Sequence, residues 1–306
     1  MNEVKKNKIY LSLAKVSSWT GLSRIFGLIR DVVTTNLLGA SVFHDIFVVT
    51  LKIPNLFRRF FAEGAFNQAF IPIYSDYQKG NDEKNTQEFI NSLAGSFLSI
   101  LFLFTILVLL ITPIFIFIFA PGFYYDDSKR IIAIDLLRIM FPYLALISLV
   151  SFASGIQNTH EKFSIPAFTP LIFNITLIVA AIFIAPRINL PVYALAWGVL
   201  IAGFLQLLIH IYALKNINRL PTPKINFSHP GQINVLKLMI PAILAGGIVQ
   251  INLLIDTIFA SLLQTGSPTW LYVSDRLIQF PMGIFAIAIG TILLPTLSKI
   301  DVATNK

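Results

Sequence analysis

The sequence predicts an all-α polytopic membrane protein with about eight transmembrane helices, and three observations carry that reading. Of its 306 residues 56% are hydrophobic and 12% charged, against roughly 25% charged in soluble domains, and mean hydropathy is +0.75. Charge-free runs cover Phe89–Tyr125, Phe163–Pro186, Ile188–Leu214 and Leu277–Ser298, each long enough for the roughly 20 residues that cross a bilayer as a helix. Stretches such as Phe97–Leu110 are almost uniformly apolar, so the period-two alternation of a membrane barrel strand is missing.

The predicted helices cover 9–37, 42–74, 90–119, 133–158, 163–185, 190–214, 234–263 and 269–298. Lys5, Lys6 and Lys8 precede the first as in a signal peptide, but Lys15, Arg24 and Arg30 lie inside it and no small-residue cleavage pattern follows, so it is read as retained. Pro113, Pro142, Pro241 and Pro281 permit bends. The polar connection from Leu214 to Lys237 contains Pro221, Pro223 and Gly231 and reads as an interdomain linker. It divides the chain into a six-helix lobe (1–220), a cytoplasmic linker (221–237) and the first two helices of an incomplete second lobe (238–306). Pro72-Ile-Tyr-Ser75 and Pro295-Thr-Leu-Ser298 end helices 2 and 8, a weak hint of a parallel repeat.

Charge separates the helices by kind. Helix 1 carries Lys15, Arg24, Arg30 and Asp31, and helix 2 carries Asp45, Lys52, Arg58, Arg59 and Glu63. An arginine or lysine at the centre of a lipid-facing helix costs about 2.5 to 3.5 kcal/mol on insertion scales, so these groups are expected to face water or one another. At about 100° per residue, Arg24 and Asp31 share one face of helix 1, as do Asp45, Lys52 and Arg59 on helix 2. Ion pairing, for instance of Arg59 with Glu63, accounts for some of them. Six basic residues against three acids leave a positive surplus, which favours an anion, and the guanidinium fork favours phosphate. Helix 8 adds Asp275 and Arg276, with Gln279 one turn on. Asp256 in helix 7 is an intramembrane acid, read as either an ion-coupling group or a structural one.

The absence of cysteine excludes disulfides and thiolate metal sites. His44, His160, His210 and His229 are scattered, and Asp126-Asp127 is the one Asp-Asp motif, so nothing gathers for metal-dependent chemistry. No cofactor is expected. The formal net charge of +8 is accounted for by topology without nucleic acid. With the amino terminus inside, Lys5, Lys6, Lys8, Lys79, Lys84, Lys162, Lys215, Arg219, Lys224, Lys237, Lys299 and Lys306 fall on that side, against Lys129, Arg130 and Arg187 outside. That asymmetry puts both termini in the cytoplasm.

The charged helices contain Ser23-Arg24-Ile-Phe-Gly27-Leu-Ile-Arg30-Asp31 and Lys52-Ile-Pro54-Asn55-Leu-Phe-Arg58-Arg59-Phe-Phe-Ala-Glu63-Gly64-Ala-Phe-Asn67-Gln68-Ala-Phe-Ile-Pro72. With Ala120-Pro121-Gly122-Phe123, Phe163-Ser164-Ile165-Pro166-Ala167-Phe168 and Asp275-Arg276-Leu-Ile-Gln279-Phe-Pro281, they make the whole chain resemble the MurJ/MviN family of lipid II flippases. The resemblance implies a transporter of a bacterial inner membrane, not an enzyme. Its substrate would be the undecaprenyl-pyrophosphate-linked disaccharide-peptide, lipid II, moved from the cytoplasmic to the periplasmic leaflet among membrane lipids. The resemblance also implies a cationic cavity lined by helices 1, 2, 7 and 8, with Arg24, Arg30, Arg58 and Arg276 handling substrate. Asp31, Asp45, Lys52, Arg59 and Glu63 are then supporting charges. Family members carry about fourteen helices, so the chain is expected to be a fragment, a truncated product or half of a split protein whose partner is the missing C-terminal lobe.

The topology predicts that Thr222→Cys, the sole thiol in the chain, resists a membrane-impermeant maleimide in intact cells and reacts after permeabilisation. Labelling in intact cells would reverse the orientation.

Overall fold

The structure, a computed structural model, describes residues 3–61, 64–80 and 82–279. Glu63, Pro281, Gly283, the Pro295–Ser298 half of the expected repeat and the end of predicted helix 8 lie outside the described residues. The helices are α1 (Glu3–Leu38), α2 (Val42–Phe61), α3 (Ala65–Lys79), α4 (Glu83–Leu110), α5 (Thr112–Phe119), α6 (Pro121–Tyr124) and α7 (Asp127–Met140). They continue with α8 (Tyr143–Thr159), α9 (Ser164–Val179), α10 (Pro191–Asn216) and α11 (Pro230–Leu262). The last, α12, begins at residue 267 and is described to 279. No strand occurs among the described residues.

Four stretches are long and apolar enough to cross a membrane: Glu83–Leu110, Asp127–Thr159, Ser164–Arg187 and Pro191–Asn216. A fifth arises if Pro230–Ala245 and Gln250–Leu262 of α11, inclined at 51°, count as one span. The uncharged cores expected for predicted helices 3, 5 and 6 all fall in this set. α1 and α2, which carry the intramembrane charge, are not in this set, and α3 with 15 residues is too short to span.

Predicted helix 2 is not one continuous rod over 42–74. It is described as α2 and α3, and Gly64 at the start of α3 has φ 71°, a positive φ natural to glycine. Predicted helix 3 divides at Ile111, where Pro113 occupies the first turn of α5, as proline prefers. α9 runs on through a π turn at Ala180–Ile184 and a 3-10 turn at Ala185–Arg187. In the loop before α7, the Asp126 carboxylate accepts from the Lys129 backbone N–H at 3.2 Å, and that bond holds its pKa below the usual carboxylate range.

Two buried clusters hold the bundle. One gathers Ile46, Val49, Leu136, Leu137 and Leu195 between α2, α7 and α10. The other is aromatic, with Phe66 stacked on Phe97 at 4.9 Å and Phe70 on Tyr74 at 5.2 Å. Leu103, Leu110, Phe204 and Leu208 point outward, as a lipid-facing surface requires. α1 lies along α9, where Gly27 faces Asn174.

The connection between α10 and α11 runs over 217–229, and the stretch 221–237 includes the first turns of α11. α11 starts at Pro230, with the His229 ring accepting from the Gly231 N–H at 3.2 Å as its cap, so predicted helix 7 gains four residues at its start. The connection is bound to α4: Asn91 accepts from the N–H of Thr222 at 2.8 Å through its side chain and of Lys224 at 2.9 Å through its carbonyl. Gln87 donates to the Leu220 carbonyl at 3.2 Å. A side chain at Gly95 would collide with the Lys224 backbone. At the opposite end of the bundle, Gly122 lies equally close to the Ser261 carbonyl and donates its N–H to the Ser261 hydroxyl at 3.3 Å.

Gly122→Ala is expected to lower unfolding stability in detergent by about 1–3 kcal/mol, the range for overpacking. Gly21→Ala, where no atom of the described residues lies within 4 Å of the added carbon, is expected not to lower it. Equal thermal unfolding curves for the two variants would refute the close approach of α6 and α11.

Candidate functional site

A cavity of about 860 Å³ opens between α1, α2, α3, α8, α9, α10 and α12. Arg24 and Arg30 of α1, Arg58 of α2 and Arg276 of α12 all line it, and among the described residues Asp31 is the one acid in the lining. Arg24, Gly27 and Arg30 recur every three residues, which sets them as a stripe down one side of α1. Gly27 leaves α1 close to Asn174, so the two arginines flank the point where α9 approaches.

Arg30 is 9% exposed and held on three sides. Its Nε and Nη2 donate to Asp31 Oδ1 at 3.0 and 2.6 Å, and its Nη1 donates to Asn174 Oδ1 at 2.9 Å. Nη2 also reaches the Tyr272 hydroxyl at 3.3 Å, and the guanidinium lies 5.6 Å from the centre of the Phe173 ring. Asn174 is itself oriented by donating to the Ser23 carbonyl at 2.9 Å. Four of the five Arg30 N–H groups are therefore engaged with the protein.

Asp31 does not pair with Arg24, although the two share a helix face. It takes Arg30, the Tyr272 hydroxyl at 2.8 Å and, more loosely, Arg276 Nε at 3.7 Å. Among the described residues the ion-pair partner of Arg276 thus comes from α1. Arg276 also stacks over Tyr272 at 5.1 Å and reaches Gln279 at 3.5 Å. Arg24 makes no hydrogen bond or ion pair with the described residues.

The remaining expected charges scatter. Arg59 is exposed, donates to Gln250 of α11 at 3.2 Å and does not line the cavity. Lys52 also stands outside the lining, within electrostatic reach of Asp275 and Asp256. Asp256 is exposed on α11. Asp45 is no cavity charge. It is 2% exposed and accepts from the backbone N–H of Gly266 at 2.6 Å and of Thr269 at 3.0 Å, and from the Thr269 hydroxyl at 2.6 Å. It caps α12 from across the chain, and because it also sits in the first turn of α2, one carboxylate serves two positive helix ends.

The family model described as lipid II flippase MurJ matches residues 34–306. The chain belongs to this family. It is 44% identical over 287 residues to the probable lipid II flippase MurJ of Buchnera aphidicola subsp. Acyrthosiphon pisum (strain APS), covering 94% of the chain and 56% of that relative. It is 39% identical over 298 residues to the lipid II flippase MurJ of Burkholderia cenocepacia, covering 96% and 58%. A solved structure titled lipid II flippase MurJ, inward closed conformation, superposes with a TM-score of 0.78 at 29% identity, over 93% of this chain and 58% of that one. The chain thus spans somewhat more than half the length of these MurJ relatives. Family and apolar helices together make it a multi-pass bacterial membrane protein.

Tyr272 and Asn174 were not among the expected site residues. Each had a signal: Asn174 is an amide inside the charge-free run Phe163–Pro186, and Tyr272 stands one turn before Arg276. Because Arg30 is knitted into the protein and Arg24 is not, Arg30→Lys is expected to lower unfolding stability by about 1–3 kcal/mol through its lost hydrogen bonds. Arg24→Lys should leave stability within about 0.5 kcal/mol. The reverse order in a detergent melt would contradict the network.

Proposed function

We propose that this chain provides the substrate-binding part of a lipid II flippase. In this reading it moves the undecaprenyl-pyrophosphate-linked disaccharide-peptide of peptidoglycan synthesis from the cytoplasmic to the periplasmic leaflet of the inner membrane. The supporting observation is the convergence of four arginines from three helices on one cavity with a single lining acid among the described residues. Such a surplus in a low-dielectric setting favours an anion that brings its own charge, and a pyrophosphate offers several oxygens to forked guanidinium donors. Arg24 is the first contact for the anion, having no competing partner among the described residues. Arg276 exchanges its loose 3.7 Å approach to Asp31 for a phosphoryl oxygen, and Arg30 holds the local field in place. Arg58 supplies the α2 side.

Residues 1–220 form the first lobe in this proposal, 221–237 the cytoplasmic connection and 238–306 the start of a second lobe, with both termini cytoplasmic. Alternating access then needs the further helices that the longer relatives carry. Closure at the outer end rests on the Asp45 cap of α12 and on the approach of Gly122 to Ser261.

The test is precursor translocation in flippase-depleted cells producing the chain, alone and joined to the second-lobe helices of a relative. At matched membrane levels, Arg24→Lys is expected to lower translocation about tenfold, through loss of the bidentate fork, and Arg24→Ala further. Wild-type translocation by Arg24→Ala would remove Arg24 from substrate binding.

A further inference from the structure

The connection between α10 and α11 crosses α4 at the edge of its lipid-facing surface. From Leu98 onward α4 carries a band of exposed apolar side chains, Phe102, Leu103 and Leu110 among them. The turns before that band are covered. Asn91 accepts from the N–H groups of Thr222 and Lys224, and the Lys224 backbone lies against Gly95. Gly95 stands three residues before Leu98, roughly 4.5 Å along the helix axis. α10, which leads into the connection, ends on exposed Leu208, Ile211 and Tyr212 followed by Lys215, the aromatic-then-basic order of a membrane–water boundary. Just past Lys224 the connection presents Ile225, 69% exposed, and Phe227, 55% exposed.

We propose that 217–229 is an interfacial membrane anchor: Ile225 and Phe227 insert at the headgroup–acyl boundary of the adjacent leaflet, and Lys215 and Lys224 reach lipid phosphates. The partner is the lipid surface itself, because the two side chains continue the apolar band of α4 and stand among lysines that can bury their stems and keep their charge in water. Composition agrees. The segment contains Arg219, Lys224 and His229 and no acid, and Arg219 is taken by Glu83 at 3.2 Å, while Lys215 and Lys224 are exposed. The backbone agrees as well, since N–H groups drawn out of water need partners. Pro221, Pro223 and Pro230 have no N–H to satisfy, Thr222 and Lys224 donate to Asn91, and Ser228 donates to the Asn226 side chain at 3.2 Å. Those bonds to α4 also fix the depth of the segment. Withdrawing Ile225 from the boundary would require breaking the grip of Asn91, so the junction between α10 and α11 is held at the bilayer surface.

Because the chain has no cysteine, an environment-sensitive fluorophore can be attached to one position at a time, through Ile225→Cys, Phe227→Cys, Lys84→Cys or Leu103→Cys, in nanodiscs of phosphatidylethanolamine and phosphatidylglycerol. Lys84, in the first turn of α4, marks the aqueous side and Leu103 the hydrocarbon. All four side chains are exposed, so the labels leave the packed core untouched. At 225 and 227 the fluorophore is expected to be quenched by lipids spin-labelled high on the acyl chain, to be shielded from aqueous iodide, and to report insertion of about 5–10 Å into the headgroup–acyl boundary. The label at 84 should answer to iodide and the label at 103 to the acyl probe. Iodide quenching at 225 and 227 equal to that at 84 would put the connection in water and overturn the anchor. Shielding of both positions from both quenchers would show that protein covers them, a second copy or further helices, and would overturn it equally.

Discussion

The Asp31 carboxylate ties together parts of the chain 241 residues apart: it takes Arg30 from its own helix, the Tyr272 hydroxyl from α12 and the edge of Arg276. A guanidinium facing hydrocarbon is costly, and a carboxylate buried beside it is stable only when its lone pairs are met. Asp31 meets both conditions at once. Without it, Arg30 would lose two of its hydrogen bonds, Tyr272 would lose its acceptor, and four cations would share one cavity with no countercharge. Removing one member of such a cluster leaves its partners buried and unpaired, which is worse than never having built it.

The same arrangement divides labour among arginines that look alike in the sequence. Arg30 is saturated by Asp31, Asn174 and Tyr272 and acts as a fixed source of field. Arg24, two turns earlier on the same helix, has no hydrogen-bond or ion-pair partner among the described residues. Asn174 makes the difference, because it meets α1 beside Arg30, and its own amide is pinned by the Ser23 carbonyl.

Local chemistry made much of this legible from the chain. Apolar runs longer than a bilayer announced α4, α9 and α10, and cationic residues inside two helices announced a wet cavity, because no lipid-facing helix tolerates them. The four arginines of α1, α2 and α12 were picked out on that ground and through family resemblance, and they do line one cavity. Long-range pairing was out of reach. Asp45 reads as one more intramembrane charge until Gly266 and Thr269, more than two hundred residues later, are seen to donate to it. Arg24 and Asp31 share a helix face, yet Asp31 turns to Arg30 and Tyr272, a choice made by α9 and α12. Gly64 lies within an unbroken helical pattern, and its positive φ is a property of the fold around it.

The Asp45 cap has a bearing on how water enters this end of the bundle. The first turn of α12 carries backbone N–H groups with no partners inside their own helix, and here a carboxylate from α2 satisfies those of Gly266 and Thr269. Drawing α12 away from α2 would strip both the carboxylate and those amides of their partners in a region flanked by apolar side chains. Separation can proceed only as solvent arrives to replace the lost bonds. Parting at this end is therefore a wetting event, sensitive to water activity and osmolytes as well as to membrane composition.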